Sequence, residues 1–124
     1  MEINMIGIIG AMDIEVDYIK SILTDKKVVS QSGIDFVCGN AHGKSVVVAK
    51  CGIGKVFSAI CAQAMIQLFH PEVIVNSGVA GALSSKLKVL DVVVADRTCQ
   101  HDMDTSPLGD PKGLISGINM IYFD

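Results

Sequence analysis

The chain has 124 residues, half of them hydrophobic, with few aromatics, no Trp and a net charge of −3. That is enough for one domain with a real core, and the core is expected to be aliphatic, as in a buried parallel sheet. The acidic balance, with Arg97 the only arginine, leaves no basic footprint for nucleic acid, and no stretch is long and apolar enough to span a bilayer.

Met5 to Ile9 reads as a buried strand that ends at Gly10, and a helix-like pattern follows from Asp13 to Leu23. On a helical wheel at about 100° per residue, Asp13, Asp17, Lys20 and Thr24 share one side. Ile14, Tyr18, Ile19, Ile22 and Leu23 share the other, and Glu15 falls near the middle of that apolar side. A carboxylate there is costly unless it has a partner or a use. The helix N-terminus favours its ionised form and apolar surroundings oppose it, a balance suited to polarising a water. A purely structural, partnered carboxylate is the competing reading.

Lys27 to Gln31, Asp35 to Gly39 and Lys44 to Lys50 read as three strands of an inserted meander. Ser32-Gly33 and Asn40-Ala41-His42-Gly43 are the turns between them. Cys51-Gly52-Ile53-Gly54 is a tight glycine loop before a helix from Lys55 to Phe69, where Ala59, Ala62 and Ala64 would allow close packing on a sheet. His70-Pro71 stops that helix. Glu72 to Asn76 is another strand, followed by Gly78-Val79-Ala80-Gly81, and Asp91 to Ala95 is a further strand. Beyond Arg97, the prolines and glycines mark a long loop, and Ile118 to Phe123 either begins a strand or packs on the surface.

This alternation predicts an α/β domain with a mixed, mainly parallel sheet flanked by helices. Strand ends at Gly10, Gly52 and Gly78 would gather on one sheet edge and form a small-molecule site there. Tight structural turns are the plainer reading of each glycine. Neither a P-loop nor a complete dinucleotide fingerprint is present around Gly52-Ile53-Gly54-Lys55. His101-Asp102-Met103-Asp104 carries metal-capable side chains, yet one imidazole beside two carboxylates suits a solvated loop better, and no metal is expected. His42 and His70 read as structural. Cys38, Cys51, Cys61 and Cys99 lack C-x-x-C spacing and are expected to be reduced, buried and small-apolar in role. Glu2 and the acidic residues after the first apolar run argue against a signal peptide, so a cytoplasmic location is expected.

Taken together, these residues resemble the methylthioadenosine/S-adenosylhomocysteine nucleosidases of the nucleoside phosphorylase superfamily. The resemblance begins with Ile6-Gly7-Ile8-Ile9-Gly10-Ala11-Met12-Asp13-Ile14-Glu15-Val16 and continues through Gly52-Ile53-Gly54-Lys55-Val56 and Val75-Asn76-Ser77-Gly78-Val79-Ala80-Gly81. It extends to Leu87-Lys88-Val89-Leu90-Asp91-Val92-Val93-Val94 and His101-Asp102-Met103-Asp104. It implies that residues 1–124 are the N-terminal part of a single nucleosidase domain, truncated relative to the family. The family's later segments supply an aspartate that protonates the purine, a Met-Glu pair on the ribose and contacts to adenine.

The same resemblance implies hydrolysis of the N-glycosidic bond of methylthioadenosine and S-adenosylhomocysteine, releasing adenine, with Glu15 activating the water. Met12 and Ile53 would be pocket wall, and Val79, Ala80 and Gly81 the loop beneath ribose and base. Val79 stands where some relatives have serine, so a hydroxyl contact to water is lost. Thr105 to Leu108 would close the alkylthio pocket across a homodimer interface, with Leu108 replacing an aromatic. No cofactor is implied; the partners implied are a nucleoside, a second copy and a separate C-terminal segment. A phosphorylase of the same superfamily is one alternative, disfavoured because Asp13 and Glu15 would repel phosphate. A fragment that binds ligand or dimerises without turnover is another.

Overall fold

The computed structural model describes residues 4–124, and Glu2 lies outside them. The chain divides into two compact units, Met1–Gly81 and Ala82–Asp124.

The first unit runs β1 (Met5–Gly10), α1 (Asp13–Ile22), β2 (Thr24–Gln31), β3 (Ile34–Ala41), β4 (Lys44–Lys50), α2 (Lys55–Phe69) and β5 (Val73–Asn76). Its five strands form one sheet in the order β2-β3-β4-β1-β5. The meander is antiparallel, while β1 pairs in parallel with both β4 and β5. The expected α/β architecture with a mixed sheet and flanking helices is therefore the observed one. Both hairpins close through two residues of positive φ, Ser32-Gly33 (54° and 74°) and His42-Gly43 (49° and 76°). That is the primed turn whose twist matches the flanking strands. Asn40 and Ala41, expected in the second turn, instead continue β3.

Alternation along β4 sends Val47 and Ala49 to one face and Val46 and Val48 to the other, and all four are buried. The first face packs with Ile9, Ile34, Phe36, Cys51, Cys61, Ala64 and Met65, which places α2 there. The second packs with Val16 and Leu23 of the α1 segment. Phe36 lies on Phe69 with ring centroids 5.5 Å apart, a contact worth about 0.5–1.5 kcal/mol beyond its area.

The buried side of α1 differs from the expected one. Val16 is fully buried, whereas Ile14 and Tyr18 are 83% and 75% exposed. The helix is turned toward Val16, Ile19 and Leu23 because those residues meet Val46 and Val48 on the sheet. Within α2, Ala64 is buried and Ala62 half-buried, but Ala59 is exposed and takes no part in close packing. The helix ends as expected. His70 adopts a left-handed conformation, and its N–H donates to the Ile66 carbonyl at 3.1 Å, just before Pro71.

In the second unit, β6 (Thr98–Cys99) pairs with β7 (Tyr122–Phe123), and a short 3₁₀ turn covers Ser106–Leu108. The expected strand at Asp91 to Ala95 is absent. A strand needs a neighbour for its N–H and C=O groups. Val92 and Val94 are instead 95% exposed. Of the cysteines, Cys51 and Cys61 are buried as expected, Cys38 is half-buried and Cys99 is exposed. Burial pushes the Cys61 thiol up to about 11.

Candidate active site

The parallel strands β4, β1 and β5 end side by side, which brings the loops at Gly52, Gly10 and Gly78 to one sheet edge as expected. Hydrogen bonds carry the alignment past the strand ends. Cys51 N–H donates to the Gly10 carbonyl at 2.9 Å and Ser77 N–H to the Ile9 carbonyl at 2.8 Å. Open sheets of this kind place ligands at this edge. A groove of about 530 Å³ lies elsewhere, between α2 and the β2–β3 turn, and none of its lining residues belongs to the glycine edge.

Glu15 occupies the space between the first and third loops. It is the third residue of α1, so its side chain reaches back over the helix start. Oε2 accepts the N–H groups of Ala11 at 2.8 Å and Met12 at 3.0 Å, while Oε1 accepts the N–H of Val79 at 3.1 Å. The Met12 bond is the helix-capping half of this arrangement, and Met12 has no side-chain oxygen with which to reciprocate. The Val79 bond comes from another loop altogether and ties the helix start to the end of β5.

Glycine makes the arrangement possible. A Cβ on Gly78 would lie 2.5 Å from Glu15 Oε1, and one on Gly10 would lie 3.1 Å from Glu15 Cβ and 2.7 Å from Val16 Cγ1. Side chains at those positions would displace the carboxylate or the helix.

The N–H groups of Val79 and Met12 hold the Glu15 carboxyl below its ordinary range, against a smaller opposing effect of burial. The apolar setting expected on the wheel is therefore not its environment: Glu15 is half-buried at the sheet edge and anionic at neutral pH. A carboxylate offers about four acceptor sites. The N–H groups of Ala11, Met12 and Val79 use three, which leaves one on Oε1 for a water or hydroxyl.

Met12, Ile53, Val79, Ala80 and Gly81 all lie on the three glycine-marked loops and are exposed, Ile53 at 74% and Val79 at 81%. Thr105 and Leu108 belong to the second unit. There Thr105 Oγ1 donates to Asp110 Oδ2 at 2.9 Å, and Leu108 is exposed at the end of the 3₁₀ turn. Nearby, Ser106 N–H donates to Asp104 Oδ1 at 3.1 Å and Lys112 lies 3.7 Å from Oδ2, so Asp104 is engaged in holding that loop. Among the described residues, no group of three or more His, Cys, Asp or Glu is placed to hold a metal. No helix among them is long and apolar enough to cross a membrane.

Sequence reasoning missed an ion pair at this edge. Lys50, the last residue of β4, meets Asp13 at 2.8 Å. The pairing holds the Asp13 carboxyl below its ordinary range and the Lys50 ammonium above its own. The available signal was a lysine closing a valine-rich strand immediately before a glycine loop.

Residues 5–123 match the phosphorylase superfamily. A 5′-methylthioadenosine/S-adenosylhomocysteine nucleosidase of Marinomonas sp. (strain MWYL1) is 40% identical over 119 residues, 96% of this chain and 52% of its own. A nucleosidase of the same name from Colwellia psychrerythraea, solved with adenine, superposes with a TM-score of 0.93 at 37% identity, covering 98% of this chain and 50% of that one. The S-adenosylhomocysteine nucleosidase of Streptococcus pyogenes, solved with 5-methylthiotubericidin, also gives 0.93, at 33% identity and 100% and 52% coverage. The chain thus spans about half the length of the relatives it matches. With the sheet order, the glycine edge and this match over nearly all of its residues, the chain belongs to the phosphorylase superfamily.

Proposed function

We propose that residues 1–124 form the N-terminal part of a single nucleosidase domain and carry the water side of its reaction. That reaction is hydrolysis of the N-glycosidic bond of methylthioadenosine and S-adenosylhomocysteine. The observation that carries the reading is the Glu15 carboxylate, fixed by N–H groups of Ala11, Met12 and Val79 with one acceptor site left on Oε1. A water seated there lies beside the Val79–Gly81 loop, where ribose and base would rest. Met12 and Ile53 supply apolar wall.

Because its N–H partners weaken its basicity, Glu15 does not ionise a resting water. It acts once the C1′–N9 bond has largely broken. The bonding pair leaves with adenine, the ribosyl centre becomes cationic, and the anionic carboxylate stabilises that charge. As the water oxygen bonds C1′, its proton passes to Glu15. The proton on the departing purine comes from an acid outside this chain's residues. Thr105–Leu108 closes the alkylthio pocket across a homodimer in the cytoplasm.

A chimera joining residues 1–124 to the C-terminal half of the Marinomonas relative tests this. Adenine release from methylthioadenosine without phosphate is expected, and Glu15→Gln lowers kcat by about 10²–10⁴. Strict phosphate dependence would instead make the site a phosphorylase. A second reading, a fragment that binds ligand or dimerises without turnover, draws on the second unit, where Gly113 is the one buried residue. Adenine release by the 124-residue chain alone would eliminate it.

A further inference from the structure

The end of β4 grips the loop leading to Glu15 from both faces of the sheet. Lys50 is in register with Gly10, and its ammonium meets Asp13, the first residue of α1. The next residue, Cys51, faces the other way, into the α2-side core. Its thiol lies 3.3 Å from the Gly10 carbonyl, which also accepts the Cys51 N–H. The loop is therefore anchored at Gly10 by backbone and thiol, and at Asp13 by the lysine. Between those anchors lie Ala11 and Met12, whose N–H groups hold Oε2 of Glu15.

We propose that Lys50, acting through Asp13, is a positioning residue for Glu15: it fixes the Gly10–Asp13 loop so that Ala11 and Met12 stay on one carboxylate oxygen and the other faces the water site. The pair is solvent-exposed, with side chains 46% and 62% accessible, so it adds little to global stability. Its effect is geometric. The charges acting on the pair itself are Lys20 on Asp13 and Asp17 on Lys50, both from α1. Glu15 is governed by backbone N–H groups and burial. The catalytic meaning of this role rests on the hydrolase reading, whereas the positional claim is measurable without turnover.

The test is a ¹³C NMR titration of the Glu15 carboxyl in the 124-residue chain, compared with Asp13→Ala, Lys50→Met and Lys50→Arg. Through-space charge alone would move Glu15 in opposite directions, down on removing Asp13 and up on removing Lys50. Positioning predicts an upward shift in both, with the Ala11 and Met12 amide signals shifted, and wild-type behaviour for Lys50→Arg. Opposite shifts, or none, overturn the proposal. In a chimera that hydrolyses methylthioadenosine, Lys50→Met should lower kcat by about tenfold with KM held. A chimera with no hydrolase activity removes the hydrolase reading and leaves the titration result to stand alone.

Discussion

The two units of this chain put their apolar residues to opposite use. In Met1–Gly81, Phe36, Val47, Val48, Cys61 and Met65 are among the residues with no accessible surface. In Ala82–Asp124, Leu83, Val89, Leu90, Val92 and Val94 are each more than nine-tenths exposed. Apolar composition alone does not make a core. The first unit places its valines on two-faced strands with a helix over each face, while the second has only two-residue strands and turns. An exposed apolar run of that kind fits a surface that awaits cover.

The sharpest way to break this contrast is paired truncation. Phe36→Ala should cost about 3–5 kcal/mol in urea unfolding, and Val92→Ala less than about 0.5 kcal/mol. Equal losses would show that the second unit is packed as well as the first. Next in size is Gly78→Ala, whose new methyl collides with Glu15 Oε1. A loss of about 1–3 kcal/mol is expected, with the Val79 amide signal displaced in NMR. An unchanged signal would mean that the loop absorbs a methyl group freely.

In the second unit the informative substitution works the other way. Leu90 sits at φ 77° in the turn closed by Asp91 N–H on the Lys88 carbonyl at 3.1 Å, a conformation unfavourable for a bulky residue. Leu90→Gly should stabilise that turn by about 1 kcal/mol, read as slower exchange of the Asp91 amide. Faster exchange would contradict the strain.

The smallest effect concerns pH. The folded-state pKa of Glu15 lies below its ordinary 4.5, so the unfolded chain binds the proton more readily. Its contribution is present above about pH 4.5 and is lost as pH falls through the lower folded value. Glu15→Gln should flatten the acid limb of a stability-versus-pH curve by at most one proton, and an identical limb in both proteins would separate Glu15 from acid lability.

Much of the first unit was legible. The turn residues Ser32-Gly33 and His42-Gly43 fix the two hairpins locally, and the Gly54 and His70-Pro71 boundaries fix α2 from Lys55 to Phe69. Those signals are short-range and need no tertiary partner. The buried side of α1 was not legible, because Ile14 is as apolar as Ile19, and only the sheet decides which is covered. Nor was the absence of the expected strand at Asp91 to Ala95, since pairing belongs to two segments and a sequence shows one. At the site, the three glycine loops and Glu15 stood out. The Val79 N–H and the Lys50–Asp13 pair did not, because they join residues 64 and 37 positions apart.

Glu15 lies in the first turn of a helix, the part that frays most readily. Two of its hydrogen bonds are to residues just ahead of that helix, so each fraying event also dissolves the seat of the carboxylate. The carboxylate and the helix start then share a single opening equilibrium. Warming the protein would thin the population with that carboxylate seated well before the sheet beneath begins to melt.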